Sequence, residues 1–188
     1  MKSDHTQDPQ PDFGRDDALG VELEETGGSA LVLENARLRA ELAQREQLGA
    51  VMASVVVTIT SIGDQHEIMT KVVALAGAAL GADSCYIALL KDRAWKPAYL
   101  WQLPSGFAGT DIAVGQMPLA ALALRAARPV AIDDCEDGNK VDLELRRRWG
   151  LRALLAAPMM VRNELLGGLF FHYTGGVHHF SPSEIAFA

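Results

Sequence analysis

Residues 150–188 read GLRALLAAPMMVRNELLGGLFFHYTGGVHHFSPSEIAFA. Two apolar runs, 151–161 and 164–173, flank the polar turn at Arg162, Asn163 and Glu164, the pattern of a β-hairpin. Almost every position in both runs is apolar, as a strand requires when both faces of its sheet are covered. After a loop comes a sharp helix start: Ser181 as N-cap, Pro182 as first helical residue and Glu184 completing a capping box. Phe180 and Ile185 are spaced as a hydrophobic staple across that start. A helix so well begun is expected to run on, so an output domain is expected beyond Ala188.

Working back, LRALLAAPMMV is preceded by a short helix, VDLELRRRWG (141–150), closed by Gly150, and by the turn CEDGNK (135–140). PVAIDD (129–134) reads as a strand, and PLAALALRAA (118–127) as a helix with Pro118 in its first turn. Residues 103–116 hold Pro104, Gly106, Gly109 and Gly115 and read as loop. SCYIALLK (84–91) and WKPAYLW (95–101) form a second hairpin about KDRA. Before them, Asp64 and Glu67 have capping-box spacing for a helix QHEIMTKVVALAGAAL that Gly81 ends.

The N-terminal third differs. Residues 1–28 offer Asp, Gln, Pro and Gly with little to bury and read as a disordered tail. From Ser29, a plausible N-cap, 29–62 reads as a helical stalk leading into the domain. Two heptad framings fit. In one, Leu31, Leu38, Met52 and Ile59 alternate with Asn35, Leu42 and Val56, broken at Arg45 and Gly49. In the other, the first set takes in Arg45 and pairs with Glu34, Glu41, Leu48, Val55 and Ile62. The first is a short zipper with a buried Asn, which favours a parallel two-stranded pair. A homodimer through this helix is expected, because the stripe is longer than one small domain can cover.

Charge and composition narrow the partners. Twenty-four Asp and Glu against 17 Lys and Arg give −7, a surface that repels phosphate backbones, so nucleic acid is not expected. VMASVVVTITSI and VVALAGAALGA are too short to span a bilayer, and the N-terminus has no signal-peptide pattern. Cys85 and Cys135 have no metal-ligand spacing and read as reduced thiols in a cytoplasmic protein.

In the order of its elements the chain resembles a GAF domain over 50–188. The resemblance is densest in 150–188, with a strand closing on a Pro, a Gly-bearing strand and a Phe-Ser-Pro-x-Glu helix entry. ARPVAIDD (127–134) resembles the family's middle strand. The resemblance implies an α+β fold. A central antiparallel sheet of five or six strands has the terminal helices on one face and a ligand pocket, roofed by loops and short helices, on the other.

Pockets are mostly apolar with a few placed polar groups. Candidates on the covering segments are Trp101, Phe107, Asp133, Asp134, Cys135, Val141, Leu145, Trp149 and Arg152; on the sheet they are Tyr86, Tyr99, His172 and Tyr173. Alternation groups Tyr86 with Ala88 and His172 with Phe170 but leaves open which face meets the ligand. Cyclic-nucleotide-binding members carry Asn-Lys where this chain has His172-Tyr173. Bilin-binding members carry Cys-His where it has Val141-Asp142, while Cys135 precedes Glu136. Methionine sulfoxide reductase members need a reactive loop thiol, and the acids around Cys135 would raise its pKa. No cofactor and no catalysis are therefore expected.

The function so read is a regulatory sensor that binds an unidentified small molecule and relays through a parallel helical dimer. One alternative is a relay module without a ligand. Another is a haem sensor with His172 as axial ligand. For the relay, the segments 103–116 and 133–139 are expected to be the movable parts, and Val55 and Ile59 to touch the last turn at Ile185.

Overall fold

The computed structural model describes the backbone of residues 17–61 and 64–188, and the side chains of 30–55, 64–104 and 106–188. The tail residues 1–16, Ile62 and Gly63, and the side chains of Val56 and Ile59, lie outside the described residues. Helix α1 runs Asp17–Ser61. It passes through Ser29 without a break, because the Leu- and Glu-rich 18–26 favour helix and carry it upstream of the expected cap. Residues 17–28 are thus helical, where the sequence had suggested a disordered tail. Among the described residues no helix is long and apolar enough to cross a membrane.

Helix α2 (Gln65–Ala79) is capped by Asp64, which accepts from the His66 N–H. Glu67 does not complete the expected box; it pairs instead with Lys71 at 2.7 Å. Strands β1 (Ser84–Lys91) and β2 (Ala94–Trp101) join through Asp92 and Arg93, both at positive φ, the turn whose twist matches a two-residue hairpin. A two-residue strand β3 (Ile112–Ala113) lies within the segment expected to be all loop. Then come α3 (Pro118–Arg125), β4 (Val130–Ile132), α4 (Leu143–Trp149), β5 (Ala153–Val161), β6 (Glu164–Tyr173) and α5 (Pro182–Phe187). The capping box of Ser181 and Glu184 forms as expected. All six strands join one antiparallel sheet in the order β3-β2-β1-β6-β5-β4.

Both faces of this sheet are covered, which is why its strands carry no polar alternation. One core packs Tyr86, Trp95, Leu154 and Phe170 of the sheet against Leu124 of α3 and Leu145 of α4. The other packs Cys85, Ile87, Leu155 and Phe171 against Val73 and Ala76 of α2, with Leu48 of α1 and Ile185 and Phe187 of α5. Each fully buried Phe or Leu contributes about 1.5–3 kcal/mol.

On the second face α2 comes close to the sheet because Gly77 has no side chain. A Cβ there would overlap the Trp101 ring and lie 2.9 Å from the Cys85 Cβ. Gly77→Ala should therefore destabilise the domain by about 1–3 kcal/mol in urea melts, despite alanine's better helix propensity. An unchanged midpoint would mean that Trp101 has another place to go.

Residues of the two terminal helices come together on this face; of the contact expected for Val55 and Ile59 with Ile185, the Ile59 side chain lies outside the described residues. Arg45, Leu48, Gly49 and Met52 line a cleft with Pro182, Ser183, Ala186 and Phe187 of α5. Leu48, about two turns before Val55, is buried in the core that Ile185 and Phe187 pack against, while Met52 stays half exposed.

Candidate ligand site

The face under α3 and α4 gathers aromatic rings around Phe107. Tyr86 of β1 sits directly opposite Phe170 of β6, and the two rings stack at 4.9 Å. His172, two residues along β6, meets Tyr86 edge-on at 5.0 Å. Phe107 comes from the turn after β2, where its N–H donates to the Pro104 carbonyl at 2.8 Å and its carbonyl accepts from Thr110 N–H. Its ring lies 4.8 Å from Tyr86, 6.1 Å from His172 and 4.5 Å from Trp149. Trp149 is held at the end of α4, which Asp142 starts by accepting from Glu144 and Leu145 N–H and Gly150 stops at φ 63.

Polar tips in this cluster lack partners. Tyr86 Oη, Trp95 Nε1 and Trp149 Nε1 are buried without a hydrogen bond. Burial drives the His172 pKa down to about 4, so its imidazole is neutral at ordinary pH. Burial likewise holds the Tyr86 hydroxyl protonated. The cluster is a packed group of rings with three unpartnered polar tips.

Four of the expected aromatic residues thus come together, Tyr86, Phe107, Trp149 and His172, and Cys135, Val141 and Leu145 lie in the core beneath α3 and α4 with them. Tyr99 and Trp101 do not. The β1 register sets Tyr99 opposite Ile87 and Trp101 opposite Cys85, so both side chains lie on the α2 face. There Tyr99 meets His66 at 5.4 Å and Trp101 fills the space at Gly77. Tyr173 also faces that way and donates to the Leu80 carbonyl.

Asp133, Asp134 and Arg152 form a separate polar rim. Asp133 contacts His179 at 3.0 Å, and Arg152 contacts Glu136 at 2.9 Å and Asp134 at 3.8 Å. Cys135 is buried, and burial more than its acidic neighbours pushes its thiol up to about 12; Arg146, Lys140 and Arg152 pull the other way. A thiol so placed is a poor nucleophile for a pigment or a sulfoxide.

Trp95 was not among the expected residues, yet it belongs to the cluster, 5.5 Å from Phe170. The two-residue turn pairs it with Leu90, which shares the face of Tyr86, and that pairing is the signal that could have found it. Among the described residues no group of three His, Cys, Asp or Glu could hold a metal ion.

Residues 64–188 match the family model described as GAF domain. The fold is similar to the GAF domain of a phosphoenolpyruvate-protein phosphotransferase from Coxiella burnetii, with a TM-score of 0.66 at 21% identity over 76% of this chain and 86% of that one. The phycocyanobilin-bound GAF domain of a cyanobacterial phytochrome gives 0.63 at 21% over 74% and 86%. A GAF domain/HD domain protein from Geobacter sulfurreducens gives 0.56 at 24% over 67% and 86%. At these identities the likeness is one of fold. None of the curated proteins compared with the chain matches it. With the family model spanning most of its length, the chain belongs to the GAF domain family.

Proposed function

We propose that this chain is the sensing part of a signal-transduction protein, binding a small molecule among the rings around Phe107 and relaying its arrival through a parallel pair of α1 helices. GAF domains are regulatory sensor modules of signalling proteins. The observation that carries a ligand is the set of buried, unpartnered groups: Tyr86 Oη, Trp95 Nε1 and Trp149 Nε1. Each costs about 1–3 kcal/mol when left unpaired, and native interiors keep few of them. Three in one cluster are best explained by a guest that accepts from the indoles.

Arg148 stands 5.0 Å over the Trp149 ring, and among the described residues the other members of the cluster are uncharged, so the guest is flat and largely apolar. Phe107 fills its place when it is absent, and the segment 103–116 must swing for it to enter. A ligand acts on the helices only by binding two of their arrangements unequally. A coupling of about 1–3 kcal/mol changes an output some 5–150-fold.

Native mass spectrometry of the purified chain tests this. A small noncovalent adduct is expected, depleted in Tyr86→Phe and Trp149→Phe.

The filled interior, with Phe107 and Phe170 wholly buried, favours the second reading, a relay module without a ligand. That reading prevails if the native chain carries no adduct and Phe107→Ala, with its ring removed, takes up no indole. The haem reading predicts a Soret band lost in His172→Ala; an absorbance scan with aromatic bands alone is the expected result.

A further inference from the structure

We propose that Gln102 is the strained joint of a plug: the turn 103–110 closes the ring cluster with the Phe107 side chain and opens as one piece, while β3 stays in the sheet. The plug rests on the ligand reading above and sets how entry to that site is controlled. Among the described residues, six that are not glycine have positive φ: Asp92, Arg93, Gln102, Ala127, Arg162 and Asn163. Asp92 with Arg93, and Arg162 with Asn163, turn the two hairpins, where such angles suit the twist of the strands. Ala127 ends α3, its N–H donating to the Leu124 carbonyl. Gln102, at φ 54, does neither; it follows the last residue of β2 and leads into the turn that carries Phe107. A Cβ is costly at such an angle, and strain that no regular element needs gathers where a structure changes state.

The hydrogen bonds of the turn are spent within it. Phe107 N–H donates to the Pro104 carbonyl at 2.8 Å, Thr110 N–H to the Phe107 carbonyl at 3.1 Å, and the Thr110 hydroxyl to the Gly106 carbonyl at 3.2 Å. Among the described residues no hydrogen bond ties 103–110 to the rest of the domain. Gln102, Pro104, Gly106, Ala108 and Gly109 are exposed, and Leu103 is half-buried. Phe107 alone is wholly buried, against Tyr86 and Trp149.

Past Thr110 the hold changes. Asp111 pairs with Lys96 at 3.0 Å, the buried Ile112 pairs with Trp95 in the sheet, and Val114 N–H donates to the Arg93 carbonyl at 3.1 Å. The moving part of 103–116 is therefore its first half. One ring holds it shut, the angle at Gln102 works against that hold, and the two contributions are of the same order. A gate needs such a balance, since a plug held by a full set of bonds would admit nothing.

The Trp149 indole N–H is buried without a hydrogen bond, and its ring lies 4.5 Å from that of Phe107. Its exchange with deuterium, followed by NMR of the full chain, reads the opening. Gln102→Gly takes the angle without strain and should slow that exchange about fivefold or more. Gln102→Val, β-branched at a positive φ, should quicken it about tenfold or more. The Trp95 indole N–H, also buried but on the side anchored by Ile112, should keep its rate in both. If Gln102→Val unfolds the domain, both indoles exchange together, and the slowing in Gln102→Gly still decides. A Trp149 rate unchanged in Gln102→Gly, or slowed only in step with Trp95, overturns the plug. The adduct sought by native mass spectrometry is read separately. An adduct without the change in exchange sinks the plug alone; the change without an adduct leaves the plug standing and removes its guest.

Discussion

Acidification from pH 6.5 to pH 4 is expected to cost the fold roughly 3 kcal/mol through His172 alone. The imidazole is buried against the rings of Tyr86 and Phe107, and burial lowers its pKa from 6.5 to about 4. In that window the unfolded chain binds a proton that the folded chain refuses. Stability therefore rises with pH there: the contribution is complete above 6.5, falls as the pH drops, and is spent near 4. Glu184, whose carboxyl is held below its ordinary value by hydrogen bonds from Ser181 and His178 despite burial, acts at lower pH. Small domains are stable by about 5–15 kcal/mol, so this one group is a large share. Urea midpoints at pH 7 and pH 4.5 should fall for the native chain and stay nearly level for His172→Gln. Equal losses in both would mean that His172 is not the group responsible.

The C-terminal half was legible because its signals are local. The hairpin at Arg162-Asn163 and the capping box of Ser181 and Glu184 depend on residues a few positions apart, and both formed as read. Strand β3 was not legible, since two residues set no period and its pairing with Ala94 and Trp95 is visible only in the fold. The split of the β2 side chains between the two faces was hidden for a sharper reason. Simple alternation along β2 puts Trp95, Pro97, Tyr99 and Trp101 on one face. A register shift between Ile87 and Ala88 leaves Ala98 without an opposite residue, so Trp95 goes to the Phe107 side while Tyr99 and Trp101 go under α2. One inserted residue reverses every side chain beyond it, and nothing in WKPAYLW except Pro97 hints at the break. On β1 and β6, where no shift separates Ser84 from Ala88, the grouping of Tyr86 with Ala88 and of His172 with Phe170 held.

Replacing both Leu38 and Leu42 by Glu is expected to turn a dimer into a monomer while the sheet stays folded. In the single chain, Leu31, Leu38, Leu42 and Met52 are 66%, 53%, 57% and 50% exposed. Apolar surface in such a row on one long helix is unfavourable in water unless something covers it, and a helix so solvated gains little from its own hydrogen bonds. A second copy in parallel register meets the need: the seven-residue spacing from Leu31 to Leu38, with Asn35 and Leu42 between and beyond, is that of a seam. Asn35 now donates to the carbonyl of Leu31 at 3.0 Å, a bond within its own helix. In a pair the two Asn side chains would turn to each other, fixing register at some cost in stability. Four leucines leave the seam in the double variant, each worth about 1.5 kcal/mol or more, and four carboxylates enter it. The dissociation constant should rise at least a hundredfold, read by analytical ultracentrifugation over a concentration series. Asn35→Ile should act in the other direction, tightening association while admitting larger assemblies. A native chain that sediments as a monomer at every concentration would remove the paired helices, and with them the relay; a ligand among the rings, as proposed above, would then have to act through α5 alone.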